Sequence, residues 1–200
     1  LMQTLAGLVH VPGRKYIHAY WPTLDSVAHR CGTDSRQARA TLATFCTAFD
    51  ALLKSIAGSE TVLLLTADHG FIDSPPQRTI DLADHPGLRA LLARPLCGEQ
   101  RVAWCYPKPG AEAEFVDRVR RDLGGAAELR SCRELVEEGW FGPLPAHPKL
   151  ASRIGAFALV MQDNWTIREW LPGERQHTLL GVHGGVSADE MEVPLLSFFL

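Results

Sequence analysis

The sequence predicts an α/β protein in which a mostly parallel β-sheet is flanked by helices and a small α+β lobe is inserted. Three segments near the N-terminal end support this prediction. The run KYIHAYW (15–21) is rich in β-forming residues and ends at Pro22, which is typical of a strand entering a loop. From 34 to 57 apolar residues recur every three or four positions, as in a helix. The apolar run TVLLLTA (61–67) then predicts a buried parallel strand.

Strand, helix and strand in this order indicate a βαβ unit. Its right-handed crossover would bring both strand ends to one edge of the sheet, where open α/β folds gather their ligands. We therefore expect the functional residues to follow these strands.

An inserted lobe is predicted after the break at Pro75 and Pro76. We expect residues 1–75 and 148–200 to form the α/β core and residues 76–147 to form the lobe. Within the lobe the sequence predicts helices near 81–93, 112–123 and 132–139 and a strand at 101–106. The sheet of the core resumes with strands at 155–162 and 192–200, separated by a turn around Asp163–Asn164.

Composition excludes several classes of protein. The chain has 200 residues, 46% of them apolar, and a net charge of -3, which describes a globular chain with one sizeable core. The sequence has no dense tract of Lys and Arg, so binding to a nucleic-acid duplex is not expected. The sequence has no apolar stretch of about 18 residues, so no membrane-spanning helix is predicted. The sequence does not indicate an oligomeric state.

The five cysteines are odd in number and form no C-x-x-C pair, so zinc-ribbon and thioredoxin-type sites are not expected. The odd number and wide spacing of the cysteines favour reduced, mostly buried thiols. The opening segment has no basic region before its apolar residues and is a poor signal peptide. Both features favour a cytoplasmic protein.

Metal-ligating residue types occur in three separate segments. Asp25 and His29 are four apart, so a helical turn would place both side chains on one face, where they could share a cation or form an ion pair. Asp68 and His69 end an apolar strand, where an acid and an imidazole need a partner or a metal to offset desolvation. His183 stands among glycines in GVHGG. A lone histidine of this kind is more often structural, but mixed oxygen and nitrogen donors suit Zn²⁺ or Mn²⁺ better than Ca²⁺.

The blocks YWPTLDSVAHRCGTDS, LLLTADHGF and GVHGGVSADEMEVPLL occur in this order. Together they resemble the alkaline phosphatase superfamily, in particular its type I phosphodiesterase and nucleotide pyrophosphatase branch. That branch has a D-x-x-x-H-x-x-G block, a strand ending in D-H-G, and a late G-x-H-G-G followed by an acid and V-P. The match covers roughly residues 15–73 and 147–200.

The resemblance implies a metal-dependent phosphoric ester hydrolase that acts on a small phosphate ester or nucleotide. Two divalent cations would bind the phosphoryl group during its in-line transfer, and Zn²⁺ is favoured over Mn²⁺. Asp25, His29 and His183 would hold one cation, and Asp68 and His69 would hold the other. Because the three histidines must be neutral to bind metal, occupancy is expected to fall as the pH drops through about 6.5.

The sequence departs from the family pattern mainly because it lacks the nucleophile and a further metal-binding aspartate. Family members carry a Thr or Ser nucleophile before the first block, where this chain has only residues 1–14. Neither Thr23 nor Ser26 occupies the nucleophile position, so we expect the nucleophile upstream of Leu1 and this chain alone to be inactive. The alternatives are a non-catalytic metal-binding or structural fragment, and a phosphomonoesterase, phosphomutase or sulfatase relative.

Four aromatic residues of the lobe are candidates for a nucleotide-base pocket, although packing in a core is the commoner role of such residues. They are Trp104, Tyr106, Trp140 and Phe141.

Overall fold

The computed structural model describes residues 1–200 as a mixed arrangement of eight α-helices and ten short β-strands. The helices are α1 (Met2–His10), α2 (Thr23–Cys31), α3 (Arg36–Ser55), α4 (Pro86–Arg89), α5 (Glu112–Leu123), α6 (Cys132–Glu137), α7 (Leu150–Ile154) and α8 (Ala188–Met191). The strands are β1 (Val62–Thr66), β2 (Ile72–Asp73), β3 (Thr79–Asp81), β4 (Cys97–Gly98), β5 (Val102–Cys105), β6 (Ala127–Ser131), β7 (Phe157–Met161), β8 (Thr166–Arg168), β9 (Gly181–Val182) and β10 (Leu195–Phe199). No helix is both long and apolar enough to cross a membrane.

The predicted helix over 34–57 is confirmed as α3. It begins at Ser35, whose side-chain oxygen accepts a hydrogen bond of 3.0 Å from the backbone N–H of Ala38. Its buried face, which includes Phe49 and Leu52, packs against α1 and against one face of the sheet formed by β1 and β10. This packing fixes the position of β1 and hence of the loop that follows it.

Helices and sheet are mixed as predicted, but parallel pairing is confined to β3 and β8. The predicted strand 15–21 is wrong: this segment forms no regular secondary structure and pairs with no strand, and Tyr16 is 90% exposed. The βαβ unit is therefore not formed. The prediction of a strand at 61–67 is confirmed as β1, but β1 pairs antiparallel with β10 and is not a buried parallel strand. β-forming composition does not specify a pairing partner, which is set by distant parts of the chain.

The inserted region contains a four-stranded antiparallel sheet with the order β4-β5-β7-β6. Helix α5 packs on one face through Phe115, Val119 and Leu123. Helices α6 and α7 cover the other face through Leu135 and Ile154. Strand β7 lies beyond the predicted lobe boundary at residue 147 yet pairs with both β5 and β6. The division of the chain at 75 and 147 stays a prediction.

Two of the three lobe helices agree with the prediction. Helix α5 matches 112–123, and α6 occupies most of 132–139, with Ser131 at its N-cap position but without a side-chain capping bond. The helix predicted near 81–93 is wrong in length, since only α4 and a 3-10 turn form there. Pro86 and Gly87 limit helix formation at this point.

All five cysteines are free, in agreement with the prediction. Only Cys105 and Cys132 are buried, so the expectation of mostly buried thiols is wrong for Cys31, Cys46 and Cys97. Burial raises the pKa of Cys132 to about 11, which keeps this thiol protonated at neutral pH.

Candidate metal centre

Asp25 and His29 lie on one face of α2, as their spacing predicts. The helix begins after Pro22, and its i,i+4 geometry places Nε2 of His29 3.4 Å from Oδ1 of Asp25. On the other side of the ring, Nδ1 of His29 donates to the carbonyl oxygen of Gly181 at 2.9 Å. This bond assigns the proton of the neutral ring to Nδ1 and leaves the Nε2 lone pair directed towards Asp25.

His183 reaches α2 because β9 pairs with β2, the strand that follows the D-H-G segment. A Cβ atom on Gly181 would lie 2.5 Å from the carbonyl oxygen of Ala28, so only glycine permits this close approach of β9 to α2. The rings of His29 and His183 have centroids 5.2 Å apart. The contact between α2 and β9 thus brings together two segments more than 150 residues apart in the sequence.

The donor atoms of Asp25, His29 and His183 form a compact group in which all lie within 4.8 Å of one another. For bonds of about 2.1 Å, two ligands of a tetrahedral zinc ion are about 3.4 Å apart. The distance between His29 and Asp25 already has this value, and the third donor requires a small side-chain adjustment. The three residues are those that the resemblance assigns to one cation.

His69 and Asp68 lie beside this group. Nε2 of His69 is 3.8 Å from Oδ1 of Asp68 and 3.9 Å from Oδ1 of Asp25. The His69 ring stacks on the His183 ring with a centroid distance of 3.6 Å. Nδ1 of His69 donates to the carbonyl oxygen of Gly70 at 3.0 Å, which again leaves Nε2 facing the carboxylates. All five predicted residues are therefore brought together.

Phe71 forms an apolar wall against the three imidazoles. Its ring contacts those of His29, His69 and His183 edge to face, with centroid distances of 5.1, 5.1 and 5.2 Å. This contact limits the freedom of all three rings. Phe71 was not among the residues predicted for the site.

The electrostatic environment favours a neutral imidazole at His183. Burial lowers the pKa of this residue, and the neighbouring His69 and His29 lower it further, against the opposing effects of Glu99 and Asp25. A neutral imidazole is the form that binds a metal ion.

The donor set fits a divalent cation. It combines carboxylate oxygens with imidazole nitrogens, the ring protons are held by backbone carbonyls on the side away from the group, and an apolar ring supports the imidazoles. Asp68 and His69 offer two further donor atoms beside this group, and the Asp68 side chain is 66% exposed. Asp25, His29 and His183 are therefore the residues that could hold one cation.

Two further residues near the site were not predicted. Glu190 is buried behind the G-V-H-G-G loop and pairs with Arg101 of the lobe. The acid after G-V-H-G-G was noted as part of the motif without a role, while nothing in the sequence connects Arg101 to it.

The four candidate aromatic residues pack within the lobe. Trp104 packs against the core under α6 and lies 5.7 Å from the Phe141 ring. The ring of Trp140 lies under the guanidinium of Arg130, and Tyr106 donates to the carbonyl of Arg153. Only Trp104 therefore agrees with the packing alternative, because Trp140 and Phe141 are 39% and 37% exposed.

Comparison with known proteins gives a consistent result. The sequence model of the family described as type I phosphodiesterase / nucleotide pyrophosphatase matches residues 6–185. The chain belongs to the type I phosphodiesterase/nucleotide pyrophosphatase family. The resemblance stated from the three motifs is confirmed. No curated protein sequence gives a significant match.

Solved structures share the fold of this family member. Murine ectonucleotide pyrophosphatase / phosphodiesterase 5 is 20% identical with a TM-score of 0.72, over 98% of this chain and 52% of that chain. An inactive form of the same murine protein, in complex with AMP, is 23% identical with a TM-score of 0.66, over 89% and 45% of the two chains. Phosphonoacetate hydrolase from Sinorhizobium meliloti 1021, in complex with phosphonoformate, is 20% identical with a TM-score of 0.60, over 86% and 43%. The chain thus spans about half the length of these structures.

Proposed function

We propose that this chain carries the metal-binding part of a phosphoric ester hydrolase that acts on phosphodiesters or nucleotides. The observation that carries the proposal is the convergence of Asp25, His29 and His183, with His69 stacked on His183, in a member of a phosphodiesterase family. The murine relative bound to AMP and the bacterial relative bound to phosphonoformate support a small anionic phosphorus-containing substrate.

In the proposed site Asp25, His29 and His183 hold one divalent cation, and Asp68 and His69 contribute to a second. Bound cations would neutralise the phosphoryl oxygens and stabilise the departing alkoxide. The carbonyl oxygens of Gly181 and Gly70 keep the imidazoles of His29 and His69 oriented with Nε2 towards the site.

The hydroxyl nucleophile is proposed to come from polypeptide that precedes Leu1, as the resemblance implies. A place for such a segment exists beside the site, because the sheet of β1 and β10 has an apolar face that no residue of this chain covers. This face consists of Val62, Leu64, Leu195 and Phe199, all exposed. A segment packed there would lie next to the loop that carries Asp68 and His69.

Hydrolysis assays on a longer natural chain test the proposal. Bis-p-nitrophenyl phosphate and p-nitrophenyl phosphate are each offered with Zn²⁺ and with EDTA. We expect metal-dependent cleavage of the diester, a loss of at least about a hundredfold in His183→Ala because a ligand is removed, and little change in the exposed control His177→Ala. The 200-residue chain alone should be inactive.

The alternatives give different outcomes. A preference for the monoester would support a phosphomonoesterase. A longer chain that binds metal but cleaves neither ester would support a non-catalytic metal-binding protein, and cleavage that survives EDTA would contradict the proposal.

A further inference from the structure

Glu190 is a buried carboxylate that no ligand assignment uses. It is 2% exposed and lies on α8, directly after the loop that carries His183. Its Oε1 accepts hydrogen bonds from the backbone N–H of Gly185 at 2.8 Å and from Nε of Arg101 at 3.0 Å. Its Oε2 accepts from the hydroxyl of Ser187 at 2.7 Å and from Nη2 of Arg101 at 3.0 Å. Each oxygen is thus held from two directions.

The backbone of the same residue holds the other metal loop. The N–H of Gly70, next to His69, donates to the carbonyl oxygen of Glu190 at 2.8 Å. A Cβ atom on Gly70 would lie 1.9 Å from the carbonyl oxygen of Asp189, so the D-H-G loop lies directly on α8. Glu190 therefore contacts both loops, one through its main chain and one through its side chain.

The glycine of the second loop has a related role. A Cβ atom on Gly185 would lie 2.5 and 2.7 Å from the two carboxylate oxygens of Glu190. Only glycine leaves space for the carboxylate at this position. A loop that consists largely of glycine has a flexible backbone. The contacts with Glu190 restrict the conformations of this loop.

Arg101 extends the arrangement into the lobe. It lies immediately before β5, is 2% exposed, and also donates from Nη1 to the carbonyl oxygen of Trp165. A bidentate guanidinium–carboxylate pair has a narrow geometry, and in a buried site neither charge can be solvated by water instead. The position of the Glu190 carboxylate is therefore tied to the sheet of the lobe.

We propose that Glu190 is a positioning residue that holds the loops of His69 and His183 at a fixed separation, and that Arg101 makes this separation depend on the lobe. This inference rests on the proposed metal function. Metal affinity depends on donors held within fractions of an ångström, and contacts outside the ligand shell maintain them. Glu190 provides such contacts to both loops without binding the metal.

Titration of the metal-free chain with Co²⁺, followed by visible absorption, tests the inference without relying on activity. Glu190→Gln is expected to weaken Co²⁺ binding about ten- to a hundredfold and to change the ligand-field bands. The matched control is Glu192→Gln, an exposed glutamate two residues away, and its affinity should stay within about twofold of the wild type. Equal Co²⁺ affinity in Glu190→Gln and the wild type would overturn the inference while leaving the proposed function intact. A wild-type chain that binds no Co²⁺ would overturn both.

Ser187→Ala tests the same inference in a chain that keeps the buried ion pair, and so serves if Glu190→Gln does not fold. Loss of the 2.7 Å hydrogen bond should weaken Co²⁺ binding about two- to tenfold. Without metal, amide hydrogen exchange at Gly185 and Gly70 should become faster. The exposed Ser152→Ala is the control. Unchanged exchange at both glycines together with unchanged Co²⁺ affinity in Ser187→Ala would contradict the inference.

Discussion

The two main sheets of the molecule differ in how they are covered. The four-stranded sheet has helices on both faces, and its central strand β7 is buried, with Leu159 1% exposed. The sheet of β1 and β10 packs on α3 with one face, while its other face exposes Leu64 to 65% and Phe199 to 80%. The candidate metal loops follow the less covered sheet.

This difference separates a sheet with a closed core from a sheet with an open apolar face. The four-stranded sheet has a closed core on both faces, whereas an exposed apolar face such as that of β1 and β10 is typical of an interaction surface. The two regions meet at the pair of Arg101 and Glu190. Substitutions in the lobe, at the link and on the open face should therefore have very different effects.

The largest effect on stability is expected at the ion pair of Arg101 and Glu190, which links the two regions. Arg101→Met leaves the Glu190 carboxylate buried without its charge partner, which should lower the free energy of unfolding by about 3–5 kcal/mol. The control is Arg39→Met, which breaks an exposed ion pair with Asp34 and should cost at most about 1 kcal/mol. Urea denaturation measures both, and equal losses would show that the link is not important for stability.

The two sheets can be compared directly by removing one leucine from each. Leu159→Ala creates a cavity in the core of the four-stranded sheet and should cost about 2–5 kcal/mol in the free energy of unfolding. Leu64→Ala on the open face should change it by no more than about 0.5 kcal/mol. A large loss in Leu64→Ala would contradict the description of this face as uncovered.

A smaller, pH-dependent effect should be specific to the metal loops. Because the pKa of His183 is lowered by burial and by His69 and His29, the unfolded chain takes up a proton at this residue more readily than the folded chain. Above about pH 6.5 both forms are neutral and nothing changes, whereas below it the free energy of unfolding falls as the pH drops. Urea denaturation in EDTA between pH 7.5 and 5 should show this slope, reduced in His183→Gln and retained in His177→Gln. An unchanged slope in His183→Gln would contradict this origin.

The accuracy of the sequence predictions follows from how local each signal is. Helix α3 was predicted because its apolar periodicity lies within one continuous segment. The pairing of β1 with β10 and the absence of a strand at 15–21 depend on segments far apart in the chain, which local composition does not encode.

The candidate site shows the same contrast. Its five predicted residues could be named from the sequence because each motif carries metal-ligating residue types next to glycine or at helical spacing, and because the three motifs together resemble those of the family. Glu190 and Arg101 were not assigned roles, since an ion pair between residues 89 positions apart leaves no pattern in a single sequence. Phe71 was missed because an apolar residue after D-H-G has the composition of an ordinary core residue.

The convergence of Asp25, His29 and His183 is most directly tested by nitrogen NMR of the histidine side chains during titration of the 200-residue chain with Zn²⁺. The arrangement predicts that the imidazole signals of His29 and His183 shift first, with coordination of His29 through Nε2 while its Nδ1 proton stays bonded to Gly181. The exposed His10 and His177 should not change at equimolar Zn²⁺. Shifts confined to the exposed histidines, or none at all, would contradict the metal centre.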